Sequence, residues 1–206
     1  MLRAVMPARA PFLSAFSIRS FRYQWPSDLL ASCALEMEIL ILNWFVLVET
    51  QSVTLLALFA GLQYLGSLIA PAMGALADRF GRKRTLACLR ASYAALALLV
   101  MTLDFAGVLA PIYLFVIAAV AGLIRPSDLV MRNALIGDTI PSEKLANAMG
   151  LSRTTMDSAR LAGALLGSGL LVAIGLGWAY AVVAGFYLAS LLLTLRVDHV
   201  DRKSVV

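Results

Sequence analysis

Two acids inside an apolar stretch are where this sequence first admits chemistry. Glu36 and Glu38 are the only charges between residues 29 and 48 of a hydrophobic run that spans about Pro26 to Val48. A charge near the middle of a membrane-spanning helix costs about 2.5–3.5 kcal/mol on insertion scales, so such residues face a cavity or a partner. A carboxyl group held there could take up and release a proton, which makes the proton a candidate coupling partner. At 3.6 residues per turn the two acids stand roughly 200° apart, so they cannot both face one cavity squarely. Asn43 lies two turns beyond Glu36 on the same face and makes the better pair with it. In the next apolar run the strongest polar residue is Gln63, suited to an interhelical hydrogen bond or a substrate contact. Further on, Arg153, Asp157 and Arg160 fall at i, i+4 and i+7, a charged ladder on one helix face. It reads as a cytoplasmic-end network, with Arg125 and Asp128 as candidate partners. The Arg125-Pro126 pair is expected to mark the end of a helix, because proline removes a backbone donor.

Other chemistries find no support. Cys33 and Cys88 are isolated in apolar context and give neither a disulfide framework nor a metal pattern. His199 follows the last apolar run and reads as solvated. There is no phosphate-cradling glycine loop ahead of a Lys, and no Ser–His arrangement within the apolar runs. No catalytic set, cofactor or metal is therefore expected, and the chain does not read as an enzyme.

The elements that must hold these residues follow from composition. Of 206 residues, 61% are hydrophobic and 14% charged, against roughly 45–50% and 25% in soluble chains. A span needs about 20 apolar residues, so the length holds roughly six. Only helices and closed barrels satisfy backbone groups in lipid, and the alternating segments of a barrel are absent. The predicted fold is an all-α membrane protein, with a cytoplasmic segment over 1–25, a six-helix bundle over 26–195 and a cytoplasmic tail over 196–206. The spans are placed at 26–48, 53–76, 86–103, 108–130, 145–175 and 178–195, with turn signals at 49–52, 78–84, 104–107, 133–142 and 175–177.

When the loops are assigned alternately to two sides, all 17 Lys and Arg fall on one side. The positive-inside rule then puts both termini in the cytoplasm. The net charge of +5 is thus topology, and no nucleic-acid partner is implied. The first 25 residues, rich in Arg, Ser and Ala, read as an amphipathic segment on the lipid surface rather than a transit peptide.

The most specific pattern is the loop after the second run, Gly74-Ala75-Leu76-Ala77-Asp78-Arg79-Phe80-Gly81-Arg82-Lys83-Arg84-Thr85-Leu86. Gly74 permits close helix approach, Gly81 permits a turn with positive φ, and the basic run suits an anionic inner leaflet. The segment resembles the signature loop between helices two and three of the major facilitator superfamily, matching at Gly74, Asp78, Arg79, Gly81, Arg82 and Lys83. Pro126, the stretch Arg132 to Pro141, and Leu145-Ala146-Asn147-Ala148 are similar to the loop between helices four and five in the bacterial branch of enterobactin-exporter-like proteins. Asn43 to Ser52 is similar to that branch too. In span five, Arg160 to Gly169 resembles the Gly-Pro-rich exporter segment, with Ala164 in place of the usual proline and Ser168 in place of a glycine. There Gly163 and Gly167 read first as a close-packing face.

The resemblance implies six transmembrane helices as two inverted three-helix repeats, half of a twelve-helix major facilitator fold. It implies secondary, ion-gradient-driven alternating access that exports a small, amphiphilic molecule across the inner membrane of a bacterium. It also implies Asp78 as a latch, and as partners the lipid bilayer, a small-molecule substrate and a second six-helix half supplied by another copy or another chain. The competing expectation is a non-transporting remnant or membrane interaction module.

Overall fold

A computed structural model describes residues 15–68 and 80–197. The helices are α1 (Arg19–Thr50), α2 (Val53–Leu62), α3 (Arg82–Phe105), α4 (Pro111–Thr139), α5 (Ser142–Ile174) and α6 (Leu176–Leu195), with a 3-10 turn at Leu65–Leu68. No strand occurs among the described residues. α1, α3, α4, α5 and α6 are long and apolar enough to cross a membrane, and Val53–Ser67 is a shorter apolar stretch.

Local chemistry sets the boundaries. Gln51 takes the left-handed conformation at φ 51° and its N–H closes onto the Leu47 carbonyl at 3.0 Å, ending α1. Ser52 caps α2 by accepting from the Leu55 N–H at 3.3 Å. Pro111 opens α4, where its missing N–H has no helical partner to lose. Gly175, at φ 82°, is the whole joint between α5 and α6, a conformation that L side chains rarely adopt.

Three boundaries differ from the sequence expectation. α1 begins at Arg19, and Pro26 lies inside it. The described part of the amino-terminal segment packs on the bundle. Phe16, Phe21 and Trp25 meet Ile136, Ile140 and Leu151, and the Trp25 indole donates to Thr155 Oγ1 at 2.8 Å. α4 runs through Pro126 to Thr139, so the turn expected over 133–142 shrinks to Ile140 and Pro141. Burial of Leu135 and Ile136 holds this extension helical. The second span is a helix only to Leu62; Gln63 and Tyr64 then bond three residues back, to Ala60 at 3.3 Å and Gly61 at 3.1 Å. That tightening marks an interrupted helix, and residues 69–79 lie outside the described part.

α1 runs through the middle of the bundle, against α5 on one side and α6 on the other, while α3 pairs with α6. The principal core joins Met37 and Ile41 of α1, Tyr93 and Ala97 of α3, Leu114 of α4, and Tyr180, Val183 and Tyr187 of α6. α1 and α5 touch backbone to backbone. A Cβ on Gly163 would stand 2.6 Å from the Cys33 carbonyl oxygen, and one on Gly167 2.8 Å from Met37 Cα.

Candidate functional site

The central position of α1 decides where its acids go. Glu38 turns into the bundle and is 3% exposed. Its Oε2 accepts from the Tyr187 hydroxyl at 2.8 Å and lies 3.4 Å from Arg125 Nη2. Arg125 also donates to Gln63 Oε1, and the Gln63 amide reaches Asn43 Oδ1 at 3.5 Å. One polar chain thus joins α1, α2, α4 and α6. Gln63 sits where α2 breaks, so the irregular backbone is placed against the arginine.

Glu36 points the other way, toward α5. Its Oε1 lies 3.3 Å from Arg160 Nε, and the Arg160 side chain is 56% exposed. Arg160 also lies 3.6 Å from Asp157, which lies 3.4 Å from Arg153. The ladder on α5 is therefore formed, but Arg125 and Asp128 do not join it. They face the bundle interior from α4, where Glu38 and the buried arginines offer stronger, drier partners. Glu36 and Asn43 line one shallow groove along α1, as their spacing requires.

Between the two acids' surroundings lies a cavity of about 350 Å³, bounded by α1, α4, α5 and the segment just after α2, with Tyr93 of α3 and Tyr187 of α6 completing its wall. Glu36, Gln63, Arg125, Asp128, Arg132 and Arg160 give its polar lining; Leu35, Ile39, Tyr93, Leu129, Met156 and Tyr187 give much of its apolar wall. The Tyr93 and Tyr187 rings stack with centroids 5.3 Å apart.

Beneath the cavity, four buried charges close a ring. Arg90, fully buried, donates to Asp28 and lies 3.7 Å from Asp128. Arg132 pairs with Asp128 at 2.8 Å and with Asp28 at 3.4 Å. Hydroxyls complete the set: Arg90 donates to Ser27 and to Thr194 at 2.6 Å, and Arg132 to Ser32 at 2.9 Å. Alternating signs let each buried charge meet two opposite ones, which is what makes such burial tolerable. The sequence carried a signal for Asp28 and Arg90, both charges inside apolar runs. It carried none for Tyr187, a tyrosine like its neighbours until α6 is docked.

At the cytoplasmic end, Arg82 at the start of α3 pairs with Asp138 near the end of α4 at 2.7 Å. Gly81 has φ 92° and Lys83 is half-buried. Gly74, Asp78, Arg79 and His199 lie outside the described residues. Among the described residues no group of three His, Cys, Asp or Glu side chains is placed to hold a metal ion.

Apolar helices long enough to cross a membrane, with arginine–carboxylate pairs buried between them, define a polytopic helical membrane protein. The family model of the Major Facilitator Superfamily matches residues 25–205, and the chain belongs to that superfamily. No curated protein matches it. Members of the superfamily are membrane transporters, so the chain is an integral membrane protein of transport type that contacts lipid and small substrates. Its all-helical architecture is that of one six-helix half of the major facilitator fold.

Proposed function

We propose that this chain acts as one half of a proton-coupled exporter of the enterobactin-exporter-like branch, in a bacterial inner membrane with both termini in the cytoplasm. Coupling rests on one observation above all: Glu38 is a dry carboxylate whose partners, Arg125 and Tyr187, both line the cavity. A proton arriving on Glu38 removes the charge that holds Arg125. The guanidinium, still bonded to Gln63, is then free to engage a ligand, and the interrupted end of α2 can move with it. Protonation of Glu38 and ligand binding at Arg125 are thereby linked, which is the elementary requirement of gradient-driven transport.

A second half is supported by α5. Arg160 stands fourteen residues before Ile174, about 21 Å along the helix and so within a hydrocarbon core of roughly 30 Å. At 56% exposure it would be costly against lipid, and water or protein must cover it.

The test is transport in proteoliposomes holding the full chain, alone and with candidate partner halves. Proton movement is followed by entrapped pyranine, and flux is measured for a panel of anionic, neutral and cationic aromatic dyes. Dye flux that consumes an imposed pH gradient is the expected result. Sealed vesicles with no flux under any partner combination would favour a non-transporting membrane module.

A further inference from the structure

The cavity differs from a neutral cleft in which of its charges a ligand can reach. Its carboxylates are withdrawn: Asp128 is 9% exposed and tied to Arg132 and Arg90, and Glu36 is 23% exposed and sits beside Arg160. Its most exposed charge is Arg160, at 56%, held at 3.3 Å by Glu36 and at 3.6 Å by Asp157. Asp157 leans away from the cavity toward Arg153 and does not line it. Deeper in, Arg125 has 11% exposure and presents a second guanidinium. A guanidinium offers five N–H donors in a planar fork that matches a carboxylate, sulfonate or phosphate. Beside these cations the wall is apolar and aromatic, through Leu129, Met156 and the stacked pair of Tyr93 and Tyr187.

We infer that the cavity takes an amphiphilic organic anion, its acidic head between Arg160 and Arg125 and its apolar or aromatic body along Leu129 and the tyrosine pair. This rests on the transport reading, which makes the cavity the substrate's. Arg160 sets the preference for negative charge, and Glu36 moderates it by competing for the same guanidinium.

The experiment uses the full chain in phosphatidylcholine nanodiscs, titrated with naphthalene-1-sulfonate and, separately, with a naphthyl trimethylammonium of the same ring, after subtraction of empty nanodiscs. Saturable sulfonate binding without saturable ammonium binding is expected. Arg160→Gln should weaken it by roughly tenfold, Glu36→Gln should tighten it, and Lys144→Gln, a cytoplasmic charge change, should leave it within a factor of about two. Adding phosphatidylglycerol to the nanodiscs separates sources of the anion: competition with the sulfonate assigns the site to a lipid headgroup, no competition to a free solute. Preferred ammonium binding, no saturable binding of either probe, or an Arg160→Gln variant that binds like the wild type would overturn the inference. Dye flux restricted to cations would overturn it and leave transport standing. Sulfonate binding without any flux would do the reverse.

Discussion

Glu36 and Glu38 are two residues apart on one helix, and each holds an arginine from another helix, yet the two pairs have opposite characters. Glu38–Arg125 is dry, hydrogen-bonded through Tyr187 and Gln63, and shared by four helices. Glu36–Arg160 is wet, has no hydroxyl or amide support, and links α1 to α5 alone. A spacing of two on a helix sends side chains to opposite sides, so a central α1 delivers one acid to the bundle and the other to an open face. The same chemistry therefore serves as a lock in one place and as a reachable docking charge in the other.

The contrast breaks most sharply at the dry pair. Arg125→Leu leaves Glu38 buried without its cation and should cost about 3–5 kcal/mol, read as a lower thermal midpoint in detergent. Arg90→Leu leaves the buried Asp28 and Asp128 to share Arg132 alone, an excess of one buried negative charge, and should fall in the same range. A smaller loss is expected for Tyr187→Phe, which removes one hydrogen bond to a charged acceptor, about 1.5–3 kcal/mol. At the open pair, Arg160→Gln should cost much less than Arg125→Leu, since it leaves behind a carboxylate that is 23% exposed and not a buried one. If Arg160→Gln unfolds the protein as readily as Arg125→Leu, the distinction between the two pairs is wrong.

Much of this contrast was out of reach of the sequence, for identifiable physical reasons. The opposed directions of Glu36 and Glu38 follow from helical periodicity alone, as does the groove shared by Glu36 and Asn43. What periodicity does not say is which side of α1 meets the bundle, so Glu36 read as the stronger candidate while the dry, fully supported site belongs to Glu38. α6 was legible because its apolar run carries no charge, and α3 because Arg90 alone interrupts its run. Pro126 misled because a proline within a helix is tolerated where neighbouring packing holds the turn; here the Gly122 backbone lies directly against that of Leu62 and Gln63. The break in α2 has no proline to announce it. The ring of Asp28, Arg90, Asp128 and Arg132 assembles residues from three helices, and only their docking reveals that the four charges neutralise one another.

Packing offers a sharper test of how α1 is held. Gly163→Val pushes a side chain into the Cys33 carbonyl and should displace α5, disturbing Glu36–Arg160 while leaving Glu38–Arg125 in place. Accessibility of Cys33 to a maleimide reagent would report the displacement, rising in the variant.

The central claim is that Glu38, and not Glu36, carries the proton. It is tested most directly by pyranine-reported proton flux coupled to dye movement in proteoliposomes, comparing Glu38→Gln with Glu36→Gln in variants shown to be folded. Glu38→Gln is expected to lose the dependence on the pH gradient, while Glu36→Gln keeps it with altered dye affinity. Gradient-driven flux that survives Glu38→Gln and disappears with Glu36→Gln would contradict it.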